Sequence, residues 1–334
     1  MIQRNWRGAK RLLIPVMFGV TAVAFVSAAD QTPSRPSAQK AGTGTPAAAA
    51  LVKRGEYLVK NHRCTDCHTP VKMGSNGPEP DQARYLSGHP ADLTLPPPPK
   101  PEGPWIVSVD ASGTAWSGPW GISYTANLTP DPETGLGSWT EQQFIEALRT
   151  GRHQGRGRQI LPPMPWQPFG TMTDADLKAV FAYLRSLKPI KNKVPDPIYK
   201  MKQVRHVFPG TEKPYTEAML KDKVKRGFYL ASIGHCMECH TPMEKGERRL
   251  DRIGAGGREF PGPWGVSVSR NITQSKAKGI GGWTDAEIKR AITTGISKDG
   301  GKLKPPMGFH YYAKLTDADL DSIVAYLRTL PAKE

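Results

Sequence analysis

The sequence predicts an all-α protein of two tandem helical domains with long Pro/Gly-rich loops, on three observations. The five residues Cys64-Thr65-Asp66-Cys67-His68 return 172 positions later as Cys236-Met237-Glu238-Cys239-His240. The same succession of helix signals follows each run. Gly and Pro number 34 and 32 of 334 residues, about a fifth of the chain, short of a disordered composition and suited to small helices joined by ordered loops. With 38% hydrophobic residues, the chain can bury two cores.

The chain opens with Arg4, Arg7, Lys10 and Arg11, an apolar run over 12–26, and the small residues Ser27, Ala28 and Ala29. That pattern is a secretory signal peptide over residues 1–29. The apolar run is shorter than the ~20 residues that cross a bilayer, so a retained anchor is the lesser alternative. Removing four basic residues takes the net charge from +16 to +12. A basic exported chain without a nucleic-acid module meets acidic proteins or anionic lipid head groups, so the expected partners include no nucleic acid and do include a peripheral membrane contact. Residues 30–50, rich in Ser, Thr, Pro, Gly, Gln and Ala, have little to bury and read as a flexible leader.

The first domain is expected over 51–189. A short helix beginning near Lys53 leads into Cys64, Cys67 and His68, as one beginning near Lys225 leads into Cys236, Cys239 and His240. C-x-x-C-H is the signal for covalent attachment of a c-type haem: i, i+3 and i+4 share a helix face, so two thiols can bond the vinyl groups while the imidazole reaches the iron. Disulfide frameworks belong mostly to shorter chains, zinc ribbons space their pairs more closely, and a thioredoxin-type pair would leave both histidines unexplained. Two covalently bound haem c groups, with iron, are therefore expected.

Gly118-Pro119-Trp120-Gly121 matches Gly262-Pro263-Trp264-Gly265 at an offset of 144, so the first copy holds 28 more residues (172 against 144) between 71 and 117. That excess contains four consecutive prolines, Pro96 to Pro99, and reads as a surface excursion. Trp120 and Trp264 read as buried turn aromatics, with a hydrogen bond to a haem propionate as the alternative. Asn127-Leu128-Thr129 and Asn271-Ile272-Thr273 have the form of glycosylation sequons and are taken instead as turn chemistry. Thr140 with Gln143, and Thr284 with Glu287, open capped helices that Gly151 and Gly295 stop. Thr173 with Asp176, and Thr316 with Asp319, start amphipathic helices ended by Pro189 and Pro331.

Between the copies, 190–221 is rich in Lys and Pro without an apolar period and reads as a linker over the surface; the second domain is expected over 222–334. The sixth iron ligand decides between a carrier and an enzyme. Of the ten methionines only Met164 and Met307 pair with each other in the internal alignment, each in a proline-flanked segment before the last helix. His62, His153, His235 and His310 are the histidine alternatives, and packing in the core is the bland reading of each methionine.

With these motifs, Ala126-Asn127-Leu128-Thr129-Pro130-Asp131, Leu161-Pro162-Pro163-Met164-Pro165-Trp166 and the Asp-Ala-Asp-Leu helices, the chain resembles dihaem class I c-type cytochromes serving periplasmic dehydrogenases of molybdenum, flavin or quinoprotein type. The resemblance implies two cytochrome c-like domains over about 51–331, His68 with Met164 and His240 with Met307 as axial ligands, and a first helix crossing the last at Gly55 with Tyr183 and Gly227 with Tyr326. It implies electron transfer in the periplasm from a dehydrogenase subunit toward a downstream cytochrome or terminal oxidase in the respiratory chain, without independent catalytic activity. The alternatives are a dihaem peroxidase or thiosulfate-oxidising enzyme, and a haem-based sensor. Unequal loops round the two sites predict two distinct haem potentials.

Overall fold

A computed structural model describes residues 45–75, 77–100, 107–200, 208–244, 247–262 and 264–334. The expected signal peptide and residues 30–44 of the leader lie outside these. Helix α1, Pro46–Asn61, begins inside the segment expected to be flexible. Thr45 caps it by accepting from the Ala48 amide at 3.2 Å, proline occupies the first turn, and the alanines that follow are strong helix formers.

Each half is framed by a pair of crossing helices. In the first half α1 leads into the short helix α2, Cys64–His68; α3 is Glu141–Thr150, α4 is Trp166–Phe169 and α5 is Asp174–Ser186. In the second, α6 (Lys223–Ile233) leads into α7 (Cys236–His240), followed by α8 (Asp285–Thr294), α9 (Phe309–Tyr312) and α10 (Asp317–Leu327). Helix α1 crosses α5 at Gly55, where a Cβ would lie 1.9 Å from the Ala179 carbonyl oxygen and 2.8 Å from Tyr183 Cβ. Helix α6 crosses α10 at Gly227, where a Cβ would lie 1.8 Å from Ser322 O and 2.8 Å from Tyr326 Cβ. Only glycine permits this approach, and both crossings fall where the resemblance put them. Leu58, Val59, Leu177 and Leu184 fill the first crossing; Leu230, Ile233, Val324 and Leu327 fill the second, all buried. Each contributes about 1.5–3 kcal/mol by leaving water.

The expected capping boxes form at both Thr140–Gln143 and Thr284–Glu287, and Gly151 and Gly295 end α3 and α8 in the left-handed conformation.

The all-α expectation is wrong: the described residues are 37% helical and also carry four small antiparallel sheets, a mixed α/β content. Strands β1 (Val71–Gly74) and β2 (Gly77–Pro80) form a hairpin. Strands β3 (Ser108–Val109), β4 (Ala115–Gly118), β5 (Gly121–Tyr124) and β6 (Ile198–Tyr199) form a sheet in that order. In the second half β7 (Met243–Glu244) pairs with β8 (Glu247–Arg248), and β9 (Glu259–Gly262) with β10 (Gly265–Val268). The Gly-Pro-Trp-Gly element is a two-residue hairpin loop whose ends pair, Gly118 with Gly121, the latter at φ 119°.

The excess residues of the first copy supply β3, and the segment read as a surface linker supplies β6. Both therefore join the sheet of the first half. The excursion is also pinned from below by His89, fully buried, whose Nδ1 lies 2.8 Å from Thr114 Oγ1. Asn192 donates to the carbonyls of Ser87 and His89 at 2.7 and 2.8 Å and accepts from the Ala91 amide.

The described residues form one compact unit, and a reciprocal polar lock ties the halves within it. Asp176 accepts from Arg54 Nε and Nη2, both at 2.8 Å, and from the Tyr229 hydroxyl at 2.7 Å. Asp319 accepts from Arg226 Nε and Nη2 at 2.8 and 2.6 Å and from the Tyr57 hydroxyl at 2.5 Å. Each buried carboxylate thus takes its arginine from its own half and its tyrosine from the other.

Candidate haem sites

Both C-x-x-C-H runs form the single helical turns that the spacing anticipated. Each follows a residue in the left-handed conformation, Arg63 at φ 64° and His235 at φ 62°, which turns the chain out of the preceding helix. None of the four cysteines is paired in a disulfide. Burial pushes the thiols of Cys64 and Cys236 up to about 12 and that of Cys67 to about 11, and burial also raises Cys239. Redox-active C-x-x-C pairs need the opposite shift, toward thiolate.

The two motif histidines are anchored in the same way. His68 Nδ1 donates to the Ala126 carbonyl at 2.8 Å, and His240 Nδ1 donates to the Arg270 carbonyl at 2.6 Å. A carbonyl can only accept, so the proton sits on Nδ1 and Nε2 carries the lone pair that a metal needs. Burial lowers the pKa of both imidazoles and keeps them neutral. The two carbonyls precede the Asn-x-Thr turns. Asn127 Oδ1 accepts from Thr129 N and Oγ1 at 3.0 and 2.7 Å while its Nδ2 donates to Ile190 O at 2.8 Å. Asn271 does the same with Thr273, at 2.9 and 2.7 Å, and with Lys333 O at 2.7 Å. These asparagines serve turn chemistry, fastening the histidine-orienting loop to the segment after the last helix.

Met164 and Met307 also occupy equivalent places. Each directly follows a cis Pro-Pro pair, Pro162–Pro163 and Pro305–Pro306, by one residue and precedes the short helix α4 or α9. Both are partly buried against the apolar core. The alternative histidines are engaged elsewhere. His62 is buried and its Nδ1 donates to Leu58 O at 2.9 Å; His153 stands edge-on to Trp139, His235 edge-on to Phe169, and His310 packs on Tyr311.

Two residues of the first half test whether a haem fits here. Trp116 and Trp120 each bury an Nε1–H with no partner among the described residues. An orphaned buried donor costs ~1–3 kcal/mol, and a propionate carboxylate is an acceptor that would relieve it. Trp116 pairs across the sheet with Ser123, whose hydroxyl donates to Pro162 O at 2.6 Å, so this sheet adjoins the Met164 segment. The donor set, the neutral imidazoles and these indoles fit the group. In the second half Phe260 stands at the Trp116 position, and Trp264 is 37% exposed with its Nε1 donating to Phe260 O at 3.2 Å. Trp264 is thus not the buried turn aromatic expected. Trp116 was missed in the sequence, although the offset of 144 would have revealed the Trp–Phe difference.

The duplicated attachment turn on crossing N- and C-terminal helices defines a class of haem-carrying electron-transfer domain, and comparison with known proteins agrees. The cytochrome c family model matches residues 52–188 and again 224–331, so the chain belongs to the cytochrome c family, whose members carry covalently bound haem c. It is 31% identical over 305 residues to the fructose dehydrogenase cytochrome subunit of Gluconobacter japonicus, covering 86% of this chain and 55% of that protein. It is 28% identical over 299 residues to the cytochrome c subunit of the quinone-dependent alcohol dehydrogenase of Gluconobacter oxydans (strain 621H), covering 85% and 55%. A diheme cytochrome c-type protein of Cereibacter sphaeroides is 29% identical over 228 residues, 64% of this chain and 73% of that one. The chain therefore spans about half the length of the two dehydrogenase subunits.

Proposed function

We propose that the protein is a periplasmic dihaem electron-transfer subunit that carries electrons from a partner dehydrogenase toward a respiratory cytochrome or terminal oxidase. Cys64 and Cys67 hold one haem c through thioethers, with His68 and Met164 as its iron ligands. Cys236 and Cys239 hold the second, with His240 and Met307. When bound, the haem iron supplies a one-electron Fe(III)/Fe(II) couple. The chain's own residues orient the two imidazoles through Ala126 O and Arg270 O, seat each methionine on its proline-flanked segment, and keep water from both crossings. The observation that carries the reading is the doubling of this whole arrangement, attachment turn, Nδ1 anchor and proline-held methionine, in segments that each match the family.

The two family matches, 52–188 and 224–331, support a division into domains over 51–189 and 222–334. Relatives that are cytochrome subunits of dehydrogenases support a dehydrogenase as the donor. The basic net charge of +16 suits an acidic partner or an anionic membrane surface. Among the described residues no helix is long and apolar enough to cross a membrane, and periplasmic export is proposed on the N-terminal pattern of the sequence.

The test is purification of the protein from its native host with any co-eluting enzyme, followed by addition of that enzyme's substrate. Reduction of both haems supports the reading. A protein that turns over peroxide or thiosulfate by itself, or binds carbon monoxide rapidly when reduced, would replace it with an enzyme or a sensor.

A further inference from the structure

One charged residue beside the first attachment turn reaches the methionine-bearing segment of the second half. Arg63, directly before Cys64, lies against Gly308, the neighbour of Met307: a Cβ on Gly308 would stand 3.4 Å from Arg63 Cδ and Nε. Its guanidinium is 5.9 Å from the centre of the Tyr311 ring. Arg63 Nε donates to Asp66 Oδ2 at 2.7 Å, and the Tyr311 hydroxyl donates to the other oxygen of Asp66. The Arg63 and Asp66 side chains are 29% and 24% exposed, so water screens this pair only in part. The corresponding position in the second half is His235, so the arrangement is not mirrored: the fixed cation points one way only.

We infer that Arg63 of the first half is a positioning residue of the second haem site, a fixed positive charge that raises the reduction potential of the haem held by Cys236, Cys239, His240 and Met307. A cation beside an iron centre disfavours the more positive Fe(III) state, and Asp66 opposes it. The inference rests on the two-haem reading above. It adds that the second site is electrostatically incomplete without the first half, so docking of the halves sets the driving force between the haems.

Potentiometric titration of the full-length holoprotein, monitored by visible spectroscopy, tests this with Arg63→Gln, Arg63→Lys and Asp66→Asn. The second haem's wave is assigned as the one displaced by Met307→Ala. Arg63→Gln is expected to shift the second haem's redox equilibrium toward Fe(III) about three- to tenfold, tenfold corresponding to 59 mV for one electron. Arg63→Lys keeps the charge and stays within about twofold of the parent, and Asp66→Asn, which removes the opposing carboxylate, shifts the equilibrium the other way. Because the last variant acts in the opposite direction, general loosening of the boundary cannot imitate the pattern. An unmoved second wave in Arg63→Gln, or an equal fall in Arg63→Lys, overturns the role of Arg63 while two intact haems leave the functional reading standing. One haem per chain overturns both.

Discussion

The Tyr229 hydroxyl donates a 2.7 Å hydrogen bond to the carboxylate of Asp176, from α6 of the second half to α5 of the first. Burial, then Asp176, holds the phenol well above its usual pKa, so it remains a proton donor. Tyr57 and Asp319 repeat the relation in the opposite sense; burial, then the bond to Asp319, pushes the Tyr57 phenol up to about 12. Tyr229→Phe is expected to lower stability by about 1.5–3 kcal/mol, the range for a hydrogen bond to a charged group. In the double variant Tyr57→Phe/Tyr229→Phe the halves should uncouple, so calorimetry should resolve two thermal transitions in place of a cooperative one.

Gly227 and Gly55 admit the closest backbone approaches at the helix crossings. Gly227→Ala puts a methyl group 1.8 Å from Ser322 O and must push α6 from α10. A loss of about 3 kcal/mol, at the upper end of overpacking effects, is expected in chemical denaturation. The same substitution at Gly257, where nothing lies within 4 Å of a Cβ, serves as a control for crowding, although its φ of +86° adds some backbone strain.

His62 is 4% exposed, and both its backbone amide and its imidazole Nδ1 donate to Leu58 O. Burial pulls the imidazole down to about 4. An unfolded chain takes up this proton near the ordinary value of about 6.5, so between these limits the unfolded state binds more protons than the folded one. Stability therefore falls as pH drops from about 6.5 to about 4, by up to about 3 kcal/mol from this residue, and is unaffected by it above that window. Melting temperatures across pH 4–7 should show a shallower slope in His62→Gln than in the parent.

Replacing either proposed sulfur ligand tests the sites one at a time. Met164→Ala and Met307→Ala should each remove about half of the sulfur-to-iron charge-transfer absorbance of the oxidised protein and lower one potential, leaving the other haem's spectrum intact. Full retention of the band in both would return the sixth ligand to the histidines.

What the sequence made legible was local. Thr140 with Gln143 signals a capping box within four residues, and Cys64, Cys67 and His68 share a helical turn, so both could be read directly. The glycine crossings followed from the resemblance. The sheets escaped because strands of two to four residues carry little alternation, and one of them, β6, pairs with β5 only after a long intervening stretch of chain. Asp176 and Asp319 read as helix-capping acids, their partners Tyr229 and Tyr57 lying 53 and 262 positions away. Arg63 directly precedes the first attachment turn, and its contact with Gly308 depends on how the halves dock. Short-range hydrogen-bonding rules disclose caps and turns; packing across the duplication decides the rest.

On the proposed reading, one chain carries two six-coordinate haems in unlike surroundings, with two unpartnered indoles near the first site and Arg63 beside the second. Potentiometric titration of the purified holoprotein, with haem counted per chain, tests it most directly. Two haems per chain titrating as two one-electron steps at different potentials, both low-spin when oxidised, are predicted. A single one-electron step from one haem per chain, or a high-spin haem with an open coordination position, would contradict the account.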